Sequence, residues 1–364
     1  MKKLIILFLA LAAIVNVPAK TLSITSVNDD NVQLSFQCYA DSTCILTQAT
    51  RAIGEVVLND TYRFTFSDEA SQAQYGDVDF KLIAIANYAF LWKNALTKIN
   101  IPNYVLQIGA SAFTGCSNLS EISMPNSLVY IEEAAFSDCE SLSDIIIPQS
   151  VKYIGTFAFD GCTSLKTIFI PQNVDSIGLA PFYNCTSLTA INVDEANTHY
   201  RSIDGVLFDK EVKVLLSCAG GKIGRYSIPE SVEEIEERAF SYCHKLTSIS
   251  IPKNLTTFGE WSLEFCTSLT SLYNYATTPQ FLLGSVFNGD DLDKCTLYVP
   301  KQSLELYSGG WYGFQFKEVL PIEEEEGIND PITFKLNGEK TIRDGQVLIK
   351  QKDKTYTTNG IEIK

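Results

Sequence analysis

The chain has 364 residues, 46% of them hydrophobic, and a formal net charge of -15. That is enough apolar material for one large domain or two ordinary ones. The negative surface speaks against nucleic acid and anionic lipid as partners. Two histidines, His199 and His244, leave little for His-based acid–base chemistry or metal ligation.

Residues 1–19 read as a secretory signal peptide. Lys2 and Lys3 precede the apolar run from Leu4 to Val15, and Val17-Pro18-Ala19 supplies small residues at the cleavage positions. The run is too short to span a bilayer comfortably. Its removal takes away two lysines and no acid, leaving a chain near -17. Residues 20–78 have no period, but "VQLSFQCYA" and "YRFTFSDE" alternate. That predicts β-strands in an N-terminal cap. Cys38 and Cys44 lie close together here and are candidates for a disulfide.

From residue 79 to 300 the chain repeats. Cysteines fall at 116, 139, 162 and 185, each 23 residues after the last, and Cys243 and Cys266 resume the spacing after a gap of 58. Pro102, Pro125, Pro148 and Pro171 keep the same period, and Pro229 and Pro252 follow after the same gap. Two residue types sharing one period and one gap indicate tandem units, which stack as a solenoid. One unit reads Leu142, Ile145, Ile147, Pro148, Val151, Ile154, Gly155, Ala158, Phe159, Cys162. Ile-x-Ile alternates, so it predicts a short strand with both isoleucines inward. Proline then ends the strand. A single coil cannot bury these residues alone; stacked coils can.

This phrase resembles the BspA-like (Treponema-type) leucine-rich repeat of secreted and surface proteins, including those of Bacteroidetes. The resemblance implies a leucine-rich repeat solenoid with short parallel β-strands in each coil. It also implies a hairpin insert at about 195–224, where "YRSIDGVLFDKEVKVLLSCAGGK" adds 35 residues to one period. Asp204-Gly205 suits a tight turn there. Residues 301–320 resemble the end of such solenoids, with Trp311, Tyr312, Phe314 and Phe316 placed to cover the core. Residues 321–331 form an acidic linker. Residues 332–364 carry Asn-Gly and Asp-Gly pairs between β-prone runs, which predicts a small β tail. Arg343-Asp344-Gly345-Gln346 and Lys354-Thr355-Tyr356 make it similar to a short C-terminal tail of secreted Bacteroidetes proteins. The resemblance implies a role in export or surface retention.

The in-phase cysteines Cys116, Cys139, Cys162, Cys185, Cys243 and Cys266 occupy one inward slot. Cysteine is small and apolar, and Lys93 fills the same slot upstream, so they read as a packing ladder of free thiols. Cys218 and Cys295 fall outside the frame. Catalysis has thin support, because Gly-x-Ser-x-Gly, His-Glu-x-x-His and phosphate-loop patterns are all missing. Cys243-His244 are adjacent and should point apart. Asp290, Asp291 and Asp293 lack the remaining ligands of a calcium loop and read as a solvated acidic turn. No cofactor and no metal is expected.

Binding is the remaining use of a solenoid. Outward positions beside the inward isoleucines are mostly polar: Asn100, Ser123, Asn192, Ser227 and Ser250. Ile146 and Phe169, on adjacent repeats, break that pattern and form a candidate contact patch beside Asp144 and Thr167. Tyr130 and Tyr153 form a second neighbouring pair, and Tyr273 is a third candidate. The family resemblance implies an adhesin-like, non-catalytic protein that meets host extracellular-matrix or bacterial surface proteins. The exposed aromatics leave a glycan-binding surface as the alternative, with an unrecognised thiol enzyme behind it.

Overall fold

The computed structural model describes residues 22–28, 32–39, 41–64, 69–75 and 78–323, together with four strands between 339 and 363. The segment expected to be a signal peptide, most of the expected acidic linker, and the Asp344-Gly345 and Asn359-Gly360 pairs lie outside the described residues. The chain divides into two compact units, Met1–Ile322 and Glu323–Lys364.

The first unit is a solenoid whose coils have three sides. The strand side carries Ile-x-Ile: Gly54–Val57, Leu96–Asn100 and Glu121–Ser123 pair in parallel, as do Thr167–Ile170 and Ala190–Val193. The second side carries two-residue strands such as Gln107–Ile108, Tyr130–Ile131 and Tyr153–Ile154, in parallel register at steps of one repeat. The third is a turn side built on Ala-Phe-x-x-Cys. Ile108, Ile131 and Ile154 face inward and are fully buried. So are Phe90, Phe113, Phe136 and Phe159, whose rings stack at 4.9, 5.3 and 5.5 Å. Burying a phenylalanine contributes about 1.5–3 kcal/mol, so this column is a main axis of cohesion.

The turn side has a cost that its hydrogen bonds offset. Tyr88, Ser111, Ala134 and Phe157 hold positive φ at 63°, 52°, 51° and 54°. Left-handed backbone costs a side-chain-bearing residue roughly 1–2 kcal/mol. Left-handed residues four apart, Tyr88 and Trp92 in this coil, turn the N–H groups of Tyr88, Phe90 and Trp92 to the same side. There they donate to the carbonyls of Ala110, Ala112 and Thr114 on the next coil, at 3.0, 2.7 and 2.8 Å. The pattern repeats from coil to coil.

The parallel ladder starts earlier than the period does. Leu22–Asn28 and Val32–Cys38 pair antiparallel, and Val32–Cys38 continues antiparallel onto Thr43–Ala52. Thr43–Ala52 then pairs in parallel with Asp79–Ile85. A coil is thus complete before residue 79, although it lacks the proline and cysteine that mark the others.

At the insert, Tyr200–Ile203 and Val206–Asp209 form a hairpin. Asp204 and Gly205 both have positive φ, at 49° and 74°, as a two-residue turn of this hand requires. The ladder resumes at Val214–Ser217, inside the stretch read as insert, and this strand pairs in parallel with Glu234–Ile235. Strand 206–209 joins the two parts of the core. Leu207 packs into the first cluster, and Val206 and Phe208 into the second. A Cβ on Gly221 would lie 2.8 Å from the Leu188 carbonyl oxygen, so only glycine lets the chain re-enter the stack so closely.

The solenoid ends on Glu318–Pro321, the last parallel strand. Trp311 is fully buried, and its Nε1–H donates to the Gln280 carbonyl at 2.8 Å. Phe314 and Phe316 pack against the core beside Phe287. Tyr312, expected among them, is 55% exposed instead; it leaves the core to pack edge-on against Phe281. The second unit is a four-stranded antiparallel meander of Glu339–Arg343, Gln346–Gln351, Lys354–Thr357 and Glu362–Ile363.

Two substitutions with opposite effects test this account of the turn side. Phe136→Ala should lower stability by about 3–5 kcal/mol. Ala134→Gly should raise it by roughly 0.5–1 kcal/mol, because relief of left-handed strain exceeds the entropy lost by glycine. Urea unfolding followed by circular dichroism measures both.

Candidate functional site

The cysteine slot is a hydrogen-bonded column. The thiols of Cys116, Cys139, Cys162, Cys185 and Cys266 donate to the carbonyl oxygens of Phe90, Phe113, Phe136, Phe159 and Phe240 on the preceding coils, at 3.1 to 3.3 Å. Cys218, out of phase in the sequence, joins the column beside Cys243 because the insert returns the chain to that position. All ten cysteines are free and buried. Burial pushes the Cys116 thiol up to about 11 and those of Cys38 and Cys295 up to about 12. Cys38 and Cys44 are direct cross-strand partners. The disulfide expected of them is not formed; the Cys44 sulfur turns into the core toward the Phe80 carbonyl. Cys243 and His244 do not pair. The thiol is fully buried, whereas the imidazole Nδ1 lies 3.2 Å from the Thr267 hydroxyl.

The acidic turn needs a correction. Asp290 is not solvated: Val286-Phe287 takes the Ala-Phe position, so Asp290 falls in the cysteine slot of the last coil. Both its carboxylate oxygens are buried, with the Cys266 backbone N–H as the donor nearby that favours the charged form. Burial raises its pKa to about 8. Asp291 instead pairs with Lys294 at 2.6 Å.

A second buried polar group straddles the insert. The Arg238 guanidinium lies 4.2 Å from the Trp261 ring centre and 5.3 Å from that of Tyr183. The Tyr183 hydroxyl donates to Glu264 Oε2 at 3.1 Å, and Asn288 Nδ2 donates to Oε1 at 2.9 Å. Asp160 is raised to about 6 by burial and then by Asp138, and Glu236 to about 7 by burial and then by neighbouring glutamates. Tyr183 with Arg238 and Glu264 ties coils together across the insert.

The strand side is where side chains reach solvent in an organised way. Ile146 is 79% exposed and Phe169 46%. The hairpin does not cover them. It docks farther along, where Gly205 accepts from the Ile191 N–H and the Ser202 hydroxyl donates to the Ile191 carbonyl. At Ile146 the sheet itself is interrupted. No strand forms at 143–147, and among the described residues no backbone hydrogen bond joins 144–147 to a neighbouring coil. Beside the pair runs an outward charged column, with Lys98 3.5 Å from Glu55 and 3.0 Å from Glu121, followed by exposed Asp144.

The other candidates lie elsewhere. Tyr130 and Tyr153 are half-buried register partners on the second side of the coil. Tyr273 sits on the sheet after the insert, stacked on Tyr298 with ring centres 4.4 Å apart and planes at 8°. Tyr298 was missed because the repeat frame is loose beyond Cys266. Also missed was a polar cleft of about 420 Å³ on the strand side, lined by residues 58–60, 100–103 and 123–126. Asn103 donates through its backbone N–H and Nδ2 to Asp60, at 2.6 and 3.2 Å. Leu58, Asn59 and Asp60, from the non-repeating part, complete this cleft, so the period alone could not reveal it.

Comparison with known proteins agrees with this geometry. The family described as BspA type leucine rich repeat region matches in six copies over residues 83–211 and 218–304. No curated protein sequence matches the chain. Among solved structures, a leucine-rich repeat protein from Bacteroides ovatus is 22% identical, with 82% of this chain and 76% of that one covered and a TM-score of 0.53. One from Eubacterium ventriosum is 22% identical over 82% and 85%, with a TM-score of 0.51. A leucine rich cell surface protein from Faecalibacterium prausnitzii is 20% identical over 83% and 96%, with a TM-score of 0.50. These likenesses are of fold.

Two outcomes follow for solution behaviour. At pH 8 iodoacetamide should label none of the ten thiols in the native protein and all of them in urea, as intact-mass spectrometry would record. Asp160, Glu236 and Asp290 hold their protons to higher pH when folded than the usual carboxylate value near 4. The folded state then binds more protons than the unfolded one, so stability should fall as pH rises from about 4 to about 8 and level off above. Asp290→Asn should flatten the upper part of that decline in thermal melts taken from pH 5 to 8.5.

Proposed function

This chain belongs to the BspA-type leucine-rich repeat family, and on that premise we propose that it is a non-catalytic, secreted or cell-surface binding protein. It acts as an adhesin, presenting its repeat surface to host extracellular-matrix or bacterial surface proteins. The observation that carries the reading is the exposed Ile146–Phe169 pair, set side by side by adjacent coils on a mostly polar strand side. An apolar pair with a polar rim, held on a rigid stack, suits protein contact. The signal sequence at 1–19 supports export, and the tail strands from 339 onward support a role in surface retention.

A second reading has its own observation. The stacked Tyr273–Tyr298 pair stands in one outward column with Ser227 and Ser250. Aromatic faces beside hydroxyls suit sugar rings, so a glycan surface is the alternative.

Direct binding of the purified chain, residues 20–364, to a panel of matrix proteins and glycans tests both. Protein binding that falls at least tenfold in an Ile146→Ser, Phe169→Ser double variant with an unchanged melting temperature is the expected result. Binding to sugars alone, lost on Tyr273→Ala, would replace the first reading by the second.

A further inference from the structure

The polar cleft and the apolar pair lie along one side of the solenoid, and together they specify more than an apolar patch would. We propose that this strip binds an extended, basic segment of a partner polypeptide, its main chain held by asparagine amides and an apolar side chain set on Ile146 and Phe169. The proposal rests on the protein-binding reading above and narrows it to one kind of ligand.

The chemistry of the cleft is the first argument. Asn59, Asn100, Asn103 and Asn126 contribute four uncharged amides to its lining. An amide offers an acceptor and two donors, the complement of a peptide group, which offers one donor and one acceptor. Asn59, Asn103 and Asn126 are exposed and Asn100 is half-buried. Among the described residues, Asn103 is the one of these four whose side-chain amide is engaged, with Asp60. A row of free amides recognises a main chain without regard to side-chain identity, the general route by which extended segments are held.

Spacing is the second. Coils follow one another at ~4.8 Å, so Asn100 and Ile146, two coils apart, are separated by roughly 10 Å along the stack. Three residues of extended chain rise about the same distance. A segment lying along the solenoid can thus place a peptide group on Asn100 and a side chain on Ile146 three residues later. Between the two positions the column presents Ser123, a small exposed side chain.

Charge is the third. Asp60, Glu121 and Asp144 border the strip, and its one lysine, Lys98, is held between Glu55 and Glu121. Asp144 is exposed and makes no ion pair among the described residues. With a net negative chain behind it, the strip favours lysine or arginine in the ligand.

The test uses residues 20–364 and a fluorescein-labelled twelve-residue peptide of alternating lysine and valine, read by fluorescence anisotropy. Its companions are the glutamate–valine peptide and the lysine–valine peptide N-methylated at alternate residues. The lysine–valine peptide should bind, and the glutamate–valine peptide should bind at least tenfold more weakly. N-methylation, and separately an Asn100→Ala, Asn126→Ala double variant of unchanged melting temperature, should each weaken binding roughly tenfold, the effect of losing one or two hydrogen bonds. Equal binding of the methylated peptide, no loss in the asparagine variant, displacement by free oligosaccharide, or no binding of the lysine–valine peptide would each overturn the proposal. If the protein panel still showed binding lost in the Ile146→Ser, Phe169→Ser variant, the protein-binding reading would survive and only the extended-segment ligand would fall.

Discussion

Each coil is registered on the next by hydrogen bonds that run one repeat ahead, and the rest of the molecule depends on that register. On the turn side the bonds are available because two residues in each coil, four apart, accept a left-handed backbone, as at Tyr88 and Trp92 or Ala134 and Asp138. The strain is repeated in each coil and so are the bonds that offset it. Once the register is set, inward positions become columns. Phe stacks on Phe, Ile on Ile, and five of the six slot cysteines cap the carbonyl of the phenylalanine one coil earlier, while Cys243 faces the Ala219 carbonyl. The thiol's small size and weak donor group suit that slot, and burial keeps it unreactive.

A molecule held this way expresses function only in its outward columns and its irregularities. Three irregularities stand out. The hairpin at 200–209 closes one block of core and opens another, and Arg238, Tyr183, Trp261 and Glu264 bridge the seam. The C-terminal end puts Asp290 where a cysteine would be and Trp311 over the last coil. The interruption at 144–147 is the third, and it alone coincides with an exposed apolar pair and a neighbouring polar cleft. The first two complete the stack; the third leaves an outward strip with unpaired backbone, free amides and unbalanced acid. Binding is a function such a strip can perform.

The repeat itself was legible because proline and cysteine mark it twice over. Ile-x-Ile, Val-x-x-Ile and Ala-Phe-x-x-Cys map directly onto the three sides of the coil, and Ile146 and Phe169 stand out by alternation alone. What the sequence concealed has identifiable causes. The coil that begins at Thr43 has neither marker, so only its pairing with Asp79–Ile85 reveals it. Cys218 enters the thiol column because the hairpin brings the chain back, which no count of residues would show. Asp290 could have been placed by continuing the frame from Val286-Phe287, but its acidic neighbours suggested solvent. The cleft needs Asp60 from outside the repeats and four asparagines from three segments, so it exists only in the folded chain.

The central claim is that the strip around 144–147 is open in the free protein and is covered by the partner. Native-state hydrogen exchange of residues 20–364 by mass spectrometry addresses it most directly, alone and with a bound panel protein. The account predicts that amides at 144–147 exchange much faster than those of Glu121–Ser123 and Thr167–Ile170, and that partner binding slows exchange there and over 100–103 and 123–126. Exchange at 144–147 as slow as in the flanking strands, or protection on binding confined to another side of the solenoid, would contradict it.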